Sequence, residues 1–198
     1  MIKFNNLSQE IPYLLFKEKY NDSLNANQSD IEAICIASYS SKKKEVNARF
    51  VNLKFVNDKE FIFFSNYKSS KSQDFISHNQ ITALIYWNSI NVQIRMKALI
   101  KQTNSEFNQE YFKQRDKQKN ALAISSDQST PITSYEDVYK KYDKSLKNDN
   151  LTECPDYWGG YSFVPHYFEF WEGHKSRLNK REVYEMKNND WIHSILQP

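Results

Sequence analysis

The distribution of glycine constrains this chain more than any other feature of its sequence. The 198 residues include three glycines, Gly159, Gly160 and Gly173, and all of them lie within residues 159–173. Glycine serves where the backbone bends sharply or approaches another group closely. Its absence elsewhere excludes the GxGxxG and GxxxxGK[ST] phosphate-binding loops, and neither HExxH nor GxSxG occurs. The sequence therefore predicts one segment with special backbone requirements near the C-terminus.

That segment is also rich in aromatic and cationic side chains. Its aromatic residues are Tyr157, Trp158, Tyr161, Phe163, Tyr167, Phe168, Phe170 and Trp171. Further along, Arg177, Asn179 and Arg181 would face one way in an extended chain, because strand side chains alternate with period two. Together these features predict a pocket for a flat, anionic ligand. A surface hairpin with solvated basic residues explains the composition equally well.

Length and charge limit the function classes. We expect a single domain over residues 1–198, since 198 residues provide one well-buried core and leave little for a second. The net charge of +3 is mild and predicts no nucleic-acid partner, for which a concentrated basic face is expected. It permits a small anionic ligand.

The remaining bulk features predict a cytoplasmic protein with no membrane association and no metal. The N-terminus lacks the apolar core of a signal peptide, and no apolar run has membrane-spanning length. Cys35 and Cys154 have no disulfide-framework or metal-ligand spacing, and the apolar run around Cys35 predicts a buried thiol.

The order of patterns along the chain predicts a mainly β fold with peripheral helices, of the α+β class. Strands are predicted over residues 33–40, 48–57, 60–66, 81–87, 90–102, 158–164, 167–171, 181–187 and 191–196. Helices are predicted over residues 12–21, 121–124 and 134–147. Two more are predicted to begin after Ser69, with Phe75 and Ile76 pointing inward, and after a capping box formed by Thr103 and Glu106. Residues 1 to about 9 look like a flexible lead. Since helices do not alternate with strands, an antiparallel barrel is favoured over a doubly wound sheet.

The start of the second predicted helix has two interpretations. Ser69, Ser70 and Lys71 suit a phosphate, because free backbone N–H groups and the helix dipole attract anions. Ordinary N-capping by serine is the simpler explanation.

Several local patterns resemble the pyridoxamine/pyridoxine 5'-phosphate oxidase family. They are the segments 49–54, 63–66, 69–71, Gln93, 128–129, 158–160, 170–171 and 177–181, in the family's order and spacing over about residues 12–198. The resemblance implies an FMN-binding antiparallel split β-barrel that forms a homodimer, with FMN at the interface. It also implies that residues 158–198 form the dimerisation and active-site segment, and it favours the phosphate interpretation of Ser69 to Lys71.

The resemblance also implies roles for individual residues. FMN contacts are expected from Arg49, Phe50, Val51, Asn52, Leu53, Lys54, Phe64, Ser65, Ser70, Lys71, Gln93, Gln128, Ser129, Trp171 and Arg181. Substrate contacts are expected from Lys54, Tyr111, Arg115, Lys119, Arg177 and Asn179, of which Arg177 and Asn179 would be catalytic. Arginine forks and lysine charges both suit phosphate oxygens.

Five positions depart from the family pattern. Ser70 stands where an arginine is usual, Phe64 where a tyrosine is usual, and Lys119 where a serine is expected. The family's His-Asp pair is replaced by Asn179 and Lys180, and an amide does not titrate near neutrality as histidine does.

The resemblance therefore implies an oxidase that converts pyridoxamine or pyridoxine 5'-phosphate to pyridoxal 5'-phosphate, with O2 as acceptor and hydrogen peroxide as product. Two alternatives stay open. One is a flavin oxidoreductase of the same fold with a different substrate, and the other is a protein that binds FMN or pyridoxal phosphate without turnover.

Overall fold

The structure, a computed structural model, describes residues 1–198 as nine strands and five helices. In chain order they are β1 (Lys3–Asn5), α1 (Ile11–Asn25), β2 (Ala33–Ser40), β3 (Glu45–Asn57), β4 (Glu60–Asn66), α2 (Ser70–Ser77), β5 (Gln80–Trp87), β6 (Val92–Gln102), α3 (Ser105–Gln114), α4 (Lys117–Ser125), α5 (Tyr135–Asn148), β7 (Trp158–Glu172), β8 (Lys180–Lys187) and β9 (Asp190–Ile195). The mainly β class with peripheral helices agrees with the sequence prediction.

Six strands pair in a closed circuit. Antiparallel pairings link β2 to β3, β3 to β4, β4 to β7, β7 to β6, β6 to β5, and β5 back to β2. Strands β8 and β9 extend antiparallel from β7, and β1 adds to β3 in parallel. Each of the six strands therefore has a partner on both sides, although the first part of β3, residues 45–52, pairs with β2 alone.

The core inside this circuit is built mainly from aromatic side chains. Phe61 of β4 stacks on Phe163 of β7 with ring centroids 5.4 Å apart, and Phe16 of α1 meets Phe61 edge-on at 4.9 Å. Trp87 of β5 lies 5.6 Å from Phe16 and is likewise fully buried. Large aromatic rings bury enough area to stabilise a core in a chain whose mean hydropathy is −0.78.

Gly159 and Gly160 are needed for close approach within a strand. Both lie inside β7, which is one continuous strand over residues 158–172 where the sequence predicted two strands, 158–164 and 167–171, and no glycine has positive φ. A Cβ at Gly159 would overlap the Tyr67 hydroxyl and the Asn108 amide. Those groups are fixed, since Tyr67 donates to the Gly160 carbonyl at 3.1 Å and Asn108 Oδ1 accepts from the Gly160 N–H at 2.8 Å.

Tertiary contacts override several local predictions. The expected flexible lead instead contains β1, and Ile2 is buried in the core. Ile76 was expected to point inward but is 69% exposed. The third helix is capped by Asn104, whose side chain accepts from the Phe107 N–H at 2.8 Å, because the Thr103 hydroxyl donates to Asn108 instead.

Two further differences concern local burial and membrane character. Cys35 was expected to be buried but is half-buried, since Ile34 and Ile36 take the inward positions of β2. None of the five helices combines the length and the apolar character needed to cross a membrane.

Replacing Gly159 by alanine should destabilise the fold by about 1–3 kcal/mol, because the new methyl group overlaps anchored polar atoms. Thermal unfolding should show a fall in Tm of about 2–4 °C for each kcal/mol. Ser194→Ala, at an exposed position of β9, serves as the control. A Gly159→Ala variant as stable as this control would contradict the close-approach interpretation.

Candidate functional site

A cavity of about 330 Å³ lies against β3 and β4, beneath helices α3 and α4. Eleven of the residues expected to bind cofactor or substrate line it, namely Phe50, Val51, Asn52, Lys54, Phe64, Ser65, Lys71, Tyr111, Arg115, Lys119 and Gln128. No Asp or Glu is among the lining residues. Four cations in one cavity without a carboxylate make this a site suited to anions.

Lys71 provides the clearest electrostatic signal in the cavity. Its residue is 8% exposed, and its ammonium donates to Ser65 Oγ at 3.0 Å, Ser69 Oγ at 3.2 Å and Gln128 Oε1 at 3.1 Å. All three partners are neutral. Burial, with a smaller contribution from the nearby Arg49 charge, lowers the pKa of Lys71 to about 8. A buried ammonium without a carboxylate partner is costly unless an anion binds it.

Arg49 lies beside the cavity and is already engaged by the protein. Its Nη1 donates to the Ile36 carbonyl at 3.1 Å and to Ser38 Oγ at 2.8 Å, and its Nη2 lies 3.6 Å from Asp74 Oδ2. The Asp74 carboxylate therefore balances Arg49 and leaves Lys71 without a counter-ion.

One wall of the cavity is a stack of aromatic rings. The Phe64 ring centroid lies 3.9 Å from that of Tyr111 and 5.2 Å from that of Trp158, with both pairs stacked. Arg115 lies over the Trp158 ring at 4.9 Å. Trp158 belongs to the aromatic segment that predicted a pocket, but no ligand contact of its own was assigned to it. Its place in the wall depends on the pairing of β4 with β7, which no local pattern reveals.

A second group of cations surrounds this wall. Arg115 follows α3 and donates from Nη1 to the Lys119 carbonyl at 2.9 Å and to Asn120 Oδ1 at 3.0 Å. Burial lowers the pKa of Arg115 from its ordinary high value, and no carboxylate pairs with it. Lys54 differs from the other cavity cations, because its Nζ bonds Glu32 Oε1 at 2.7 Å.

Three expected cofactor residues form a separate group on the sheet. Gln93 of β6 pairs with Trp171 of β7, which pairs with Arg181 of β8, and none of the three lines the cavity of the same chain. Arg181 Nε bonds Glu169 Oε1 at 2.9 Å, and Arg95 bonds the other oxygen of this buried carboxylate. Intramolecular contacts thus fix the Arg181 side chain without a ligand.

Leu53, Ser70 and Ser129 also lie outside the cavity lining. Leu53 is fully buried in the core, so a cofactor contact there would come from its backbone. Ser70 is exposed and its hydroxyl lies 3.4 Å from that of Ser129. Their expected cofactor contacts stay predictions.

Arg177 and Asn179 lie in the loop between β7 and β8. The sequence suggested that Arg177, Asn179 and Arg181 are aligned on one strand, but β8 begins at Lys180 and Arg177 has a φ of 61°. Asn179 Oδ1 accepts from the His174 N–H at 3.0 Å, and the Arg177 N–H donates to the His174 carbonyl at 2.9 Å. Asn179 therefore closes the loop that carries Arg177.

The chemistry available to the cavity comes from cations, amides, hydroxyls and aromatic rings. No three His, Cys, Asp or Glu side chains are grouped to hold a metal ion. Such a set of groups binds and orients a ligand whose own atoms undergo the reaction.

Comparison with solved structures defines the class of fold. The chain superposes on PhzG from Burkholderia lata, solved in complex with tetrahydrophenazine-1-carboxylic acid, with a TM-score of 0.89, 24% identity, and coverage of 94% of this chain and 92% of that one. A pyridoxamine 5'-phosphate oxidase-related, FMN-binding protein from Nostoc punctiforme gives a TM-score of 0.78 at 11% identity, covering 92% and 97%. The fold is thus that of the pyridoxamine 5'-phosphate oxidase-like proteins.

Sequence comparison identifies the family within that class. Residues 158–198 match the model described as the pyridoxine 5'-phosphate oxidase C-terminal dimerisation region. The pyridoxine/pyridoxamine 5'-phosphate oxidase of Leptospira biflexa is 31% identical over 189 residues, covering 94% of this chain and 89% of the relative. That of Haemophilus influenzae is 33% identical over 191 residues, covering 96% and 90%. The chain belongs to the pyridoxine/pyridoxamine 5'-phosphate oxidase family.

Anion binding at Lys71 should depend on pH. Because its pKa is lowered to about 8, the free protein loses this positive charge as pH rises through 8, well below the ordinary 10.5. Affinity for inorganic phosphate should therefore fall above pH 8, by at most about tenfold for each pH unit. Calorimetric titration between pH 7 and 9.5 measures the trend.

Lys71→Met removes the titrating group and should bind phosphate more weakly, without the decline above pH 8. Lys97→Met, at an exposed position of β6, should keep the wild-type profile. An unchanged decline in the Lys71→Met variant would assign the pH dependence to another group.

Proposed function

We propose that the protein is an FMN-dependent oxidase that converts pyridoxamine or pyridoxine 5'-phosphate to pyridoxal 5'-phosphate, with O2 as electron acceptor and hydrogen peroxide as product. Family membership supports this reaction class. The observation that carries the proposal is the cavity itself, which combines four cations, no carboxylate and a stacked aromatic wall. A phosphorylated aromatic ring matches this cavity, because its phosphate suits the cations and its ring suits the aromatic wall.

The residues around Lys71 fit the phosphate of FMN. Lys71 has a buried ammonium with three neutral partners, and Ser65 and Gln128 supply a hydroxyl and an amide beside it. A phosphate would add the missing negative charge and accept hydrogen bonds from the same groups. When bound, FMN would supply the two-electron acceptor that takes a hydride from the substrate's 4' carbon and then reduces O2 to hydrogen peroxide.

The other three cations of the cavity fit the substrate phosphate. Arg115 has a rigid fork of donors, and the side chains of Lys54 and Lys119 line the same cavity. The Tyr111 hydroxyl, on a ring stacked against Phe64, is a further donor toward phosphate oxygens. By fixing the phosphate, these residues would hold the reacting carbon in one position, which makes the hydride transfer effectively unimolecular.

A homodimer would complete the site. Gln93, Trp171 and Arg181 lie outside the cavity of their own chain, and residues 158–198 match a dimerisation region. Phe50 lines the cavity although its side chain is 73% exposed, so the cavity is open on that side. We propose that FMN lies between the cavity of one protomer and the β6–β8 surface of its partner. Arg177, on the loop before β8, would then cover the substrate ring.

A cytoplasmic location completes the proposal. Both cysteines are unpaired, as thiols are in a reducing compartment.

The test is a visible spectrum of the FMN-loaded protein before and after each vitamer is added, first without oxygen and then with it. Bleaching of the flavin without oxygen, followed by recovery of colour and formation of pyridoxal 5'-phosphate in air, is the expected result. A colourless preparation that gains no thermal stability from FMN would refute the flavin proposal.

An oxidase of the same fold with another substrate is the second candidate, and Asn179 favours it. Its amide oxygen is used inside the loop, and an amide supplies no group that titrates near neutrality. In the same experiment this candidate predicts a flavin that stays oxidised with both vitamers. Tight vitamer binding without bleaching would instead indicate a binding protein.

Replacing Arg115 by methionine should raise KM for the phosphorylated substrate by about 10- to 100-fold, the cost of losing a charge-assisted hydrogen bond to phosphate. The kcat should change far less, because uniform binding is lost. Steady-state kinetics measure both values. Lys113→Met, at an exposed position of α3, is the matched control and should leave KM unchanged. An equal effect in both variants would show that Arg115 has no specific role in phosphate binding.

Mixed dimers test whether FMN lies between protomers. Lys71→Met and Trp171→Ala would each weaken both sites of a homodimer. In a mixed dimer with one variant chain of each kind, one site would carry both substitutions and the other neither. We expect about one tightly bound FMN per mixed dimer, measured by absorbance after purification on two tags. No recovery of binding would place both contacts in one chain.

A further inference from the structure

Among the four cavity cations, Lys54 alone has a carboxylate partner. Its Nζ lies 2.7 Å from Glu32 Oε1, whereas Lys71, Arg115 and Lys119 make no ion pair. Glu32 does not line the cavity, so it is placed behind Lys54 rather than against a ligand. The two side chains are 27% and 23% exposed, which makes the pair accessible to water but partly desolvated.

The strand pairing fixes this contact. Glu32 directly precedes β2, and its carbonyl accepts from the Leu53 N–H of β3 at 2.8 Å. Lys54 is the next residue on β3, so the two charges are neighbours across the start of the β2–β3 ladder. Opposite charges at such positions attract each other. The other Glu32 oxygen accepts from the Met1 amino group, which is 77% exposed and therefore screened by water.

The negative charge of Glu32 also reaches the cavity. Burial is the main cause that raises the pKa of Tyr111, and Glu32 adds to the rise while Arg115 opposes it. Tyr111 lines the cavity, so Glu32 lowers the positive potential at the end that holds Arg115 and Lys119.

We propose that Glu32 is an internal counter-ion that competes with the ligand phosphate for Lys54 and so sets the affinity of this end of the cavity. A phosphate that takes the Lys54 ammonium must displace or share it with the Glu32 carboxylate. The free energy of the Lys54–Glu32 pair is thereby subtracted from that of phosphate binding. Glu32 thus limits how tightly substrate and product are held. The inference rests on the proposed function only in placing the ligand phosphate beside Lys54.

Glu32→Gln tests this role, since the amide keeps the shape of the side chain and removes its charge. With FMN added to saturation, affinities for inorganic phosphate and pyridoxal 5'-phosphate should both increase by about two- to fivefold, the range of partly exposed ion pairs. The gain should shrink in high salt, which screens the pair. Glu60→Gln is the matched control, because Glu60 pairs with Lys101 at 2.8 Å away from the cavity and should change neither affinity.

The same substitution made in a Lys54→Met protein separates competition for Lys54 from a general effect of removing a negative charge. In a Lys54→Met protein, Glu32→Gln should give little further gain, since the contested cation is gone. An undiminished gain there would overturn competition for Lys54 and indicate a general effect of charge. Unchanged or weaker phosphate binding by the single variant would also overturn the proposal, and weaker binding would show that Glu32 holds Lys54 in place. Inorganic phosphate binding needs no turnover, so this result is independent of whether vitamers are oxidised.

Discussion

The pairing of β4 with β7 is the contact on which the rest of the structure depends. Residues 61–66 pair with residues 158–163, far apart in the chain, and this ladder closes the circuit of six strands. It also stacks Trp158 on Phe64 and brings Ser65 opposite Gly159. This pairing needs glycine at two positions, because Tyr67 and Asn108 occupy the space that a side chain at Gly159 would fill, and Thr103 occupies the corresponding space at Gly160. The aromatic core, the cavity wall and the need for glycine therefore all depend on the pairing of β4 with β7.

Electrostatic imbalance is the second organising feature. The fold provides Asp74 for Arg49 and Glu169 for Arg95 and Arg181, but it gives Lys71 and Arg115 neutral partners alone. Leaving these cations unpaired costs stability in the free protein. The same imbalance makes anion binding favourable, because a phosphate supplies the absent charge in a partly desolvated site. The excess of positive charge is not uniform across the cavity, because Glu32 partly neutralises Lys54 while Lys71 and Arg115 have no carboxylate partner.

The expected ligand contacts fall into two groups that differ in their charge balance. Most of the expected contacts that line the cavity come from β3, β4, α2, α3 and α4, while Gln93, Trp171 and Arg181 are cross-strand neighbours on β6, β7 and β8. The first group includes cations without a carboxylate partner, whereas in the second group Glu169 already neutralises Arg181. The first group therefore attracts an anion more strongly than the second.

The sequence by itself determined the element types, the family and most of the cavity residues. Strand-like runs between turn signals located β2 and β4, and the family resemblance selected Lys71, Tyr111 and Arg115 as ligand contacts. These features are encoded in short stretches of sequence. The tertiary structure alone decided that Trp158 joins the wall, that Ile2 is buried, that Asn179 closes a loop and that Glu32 pairs with Lys54. Each of these depends on which distant strands become neighbours, and that choice is made by packing of the whole core rather than by any short stretch of residues.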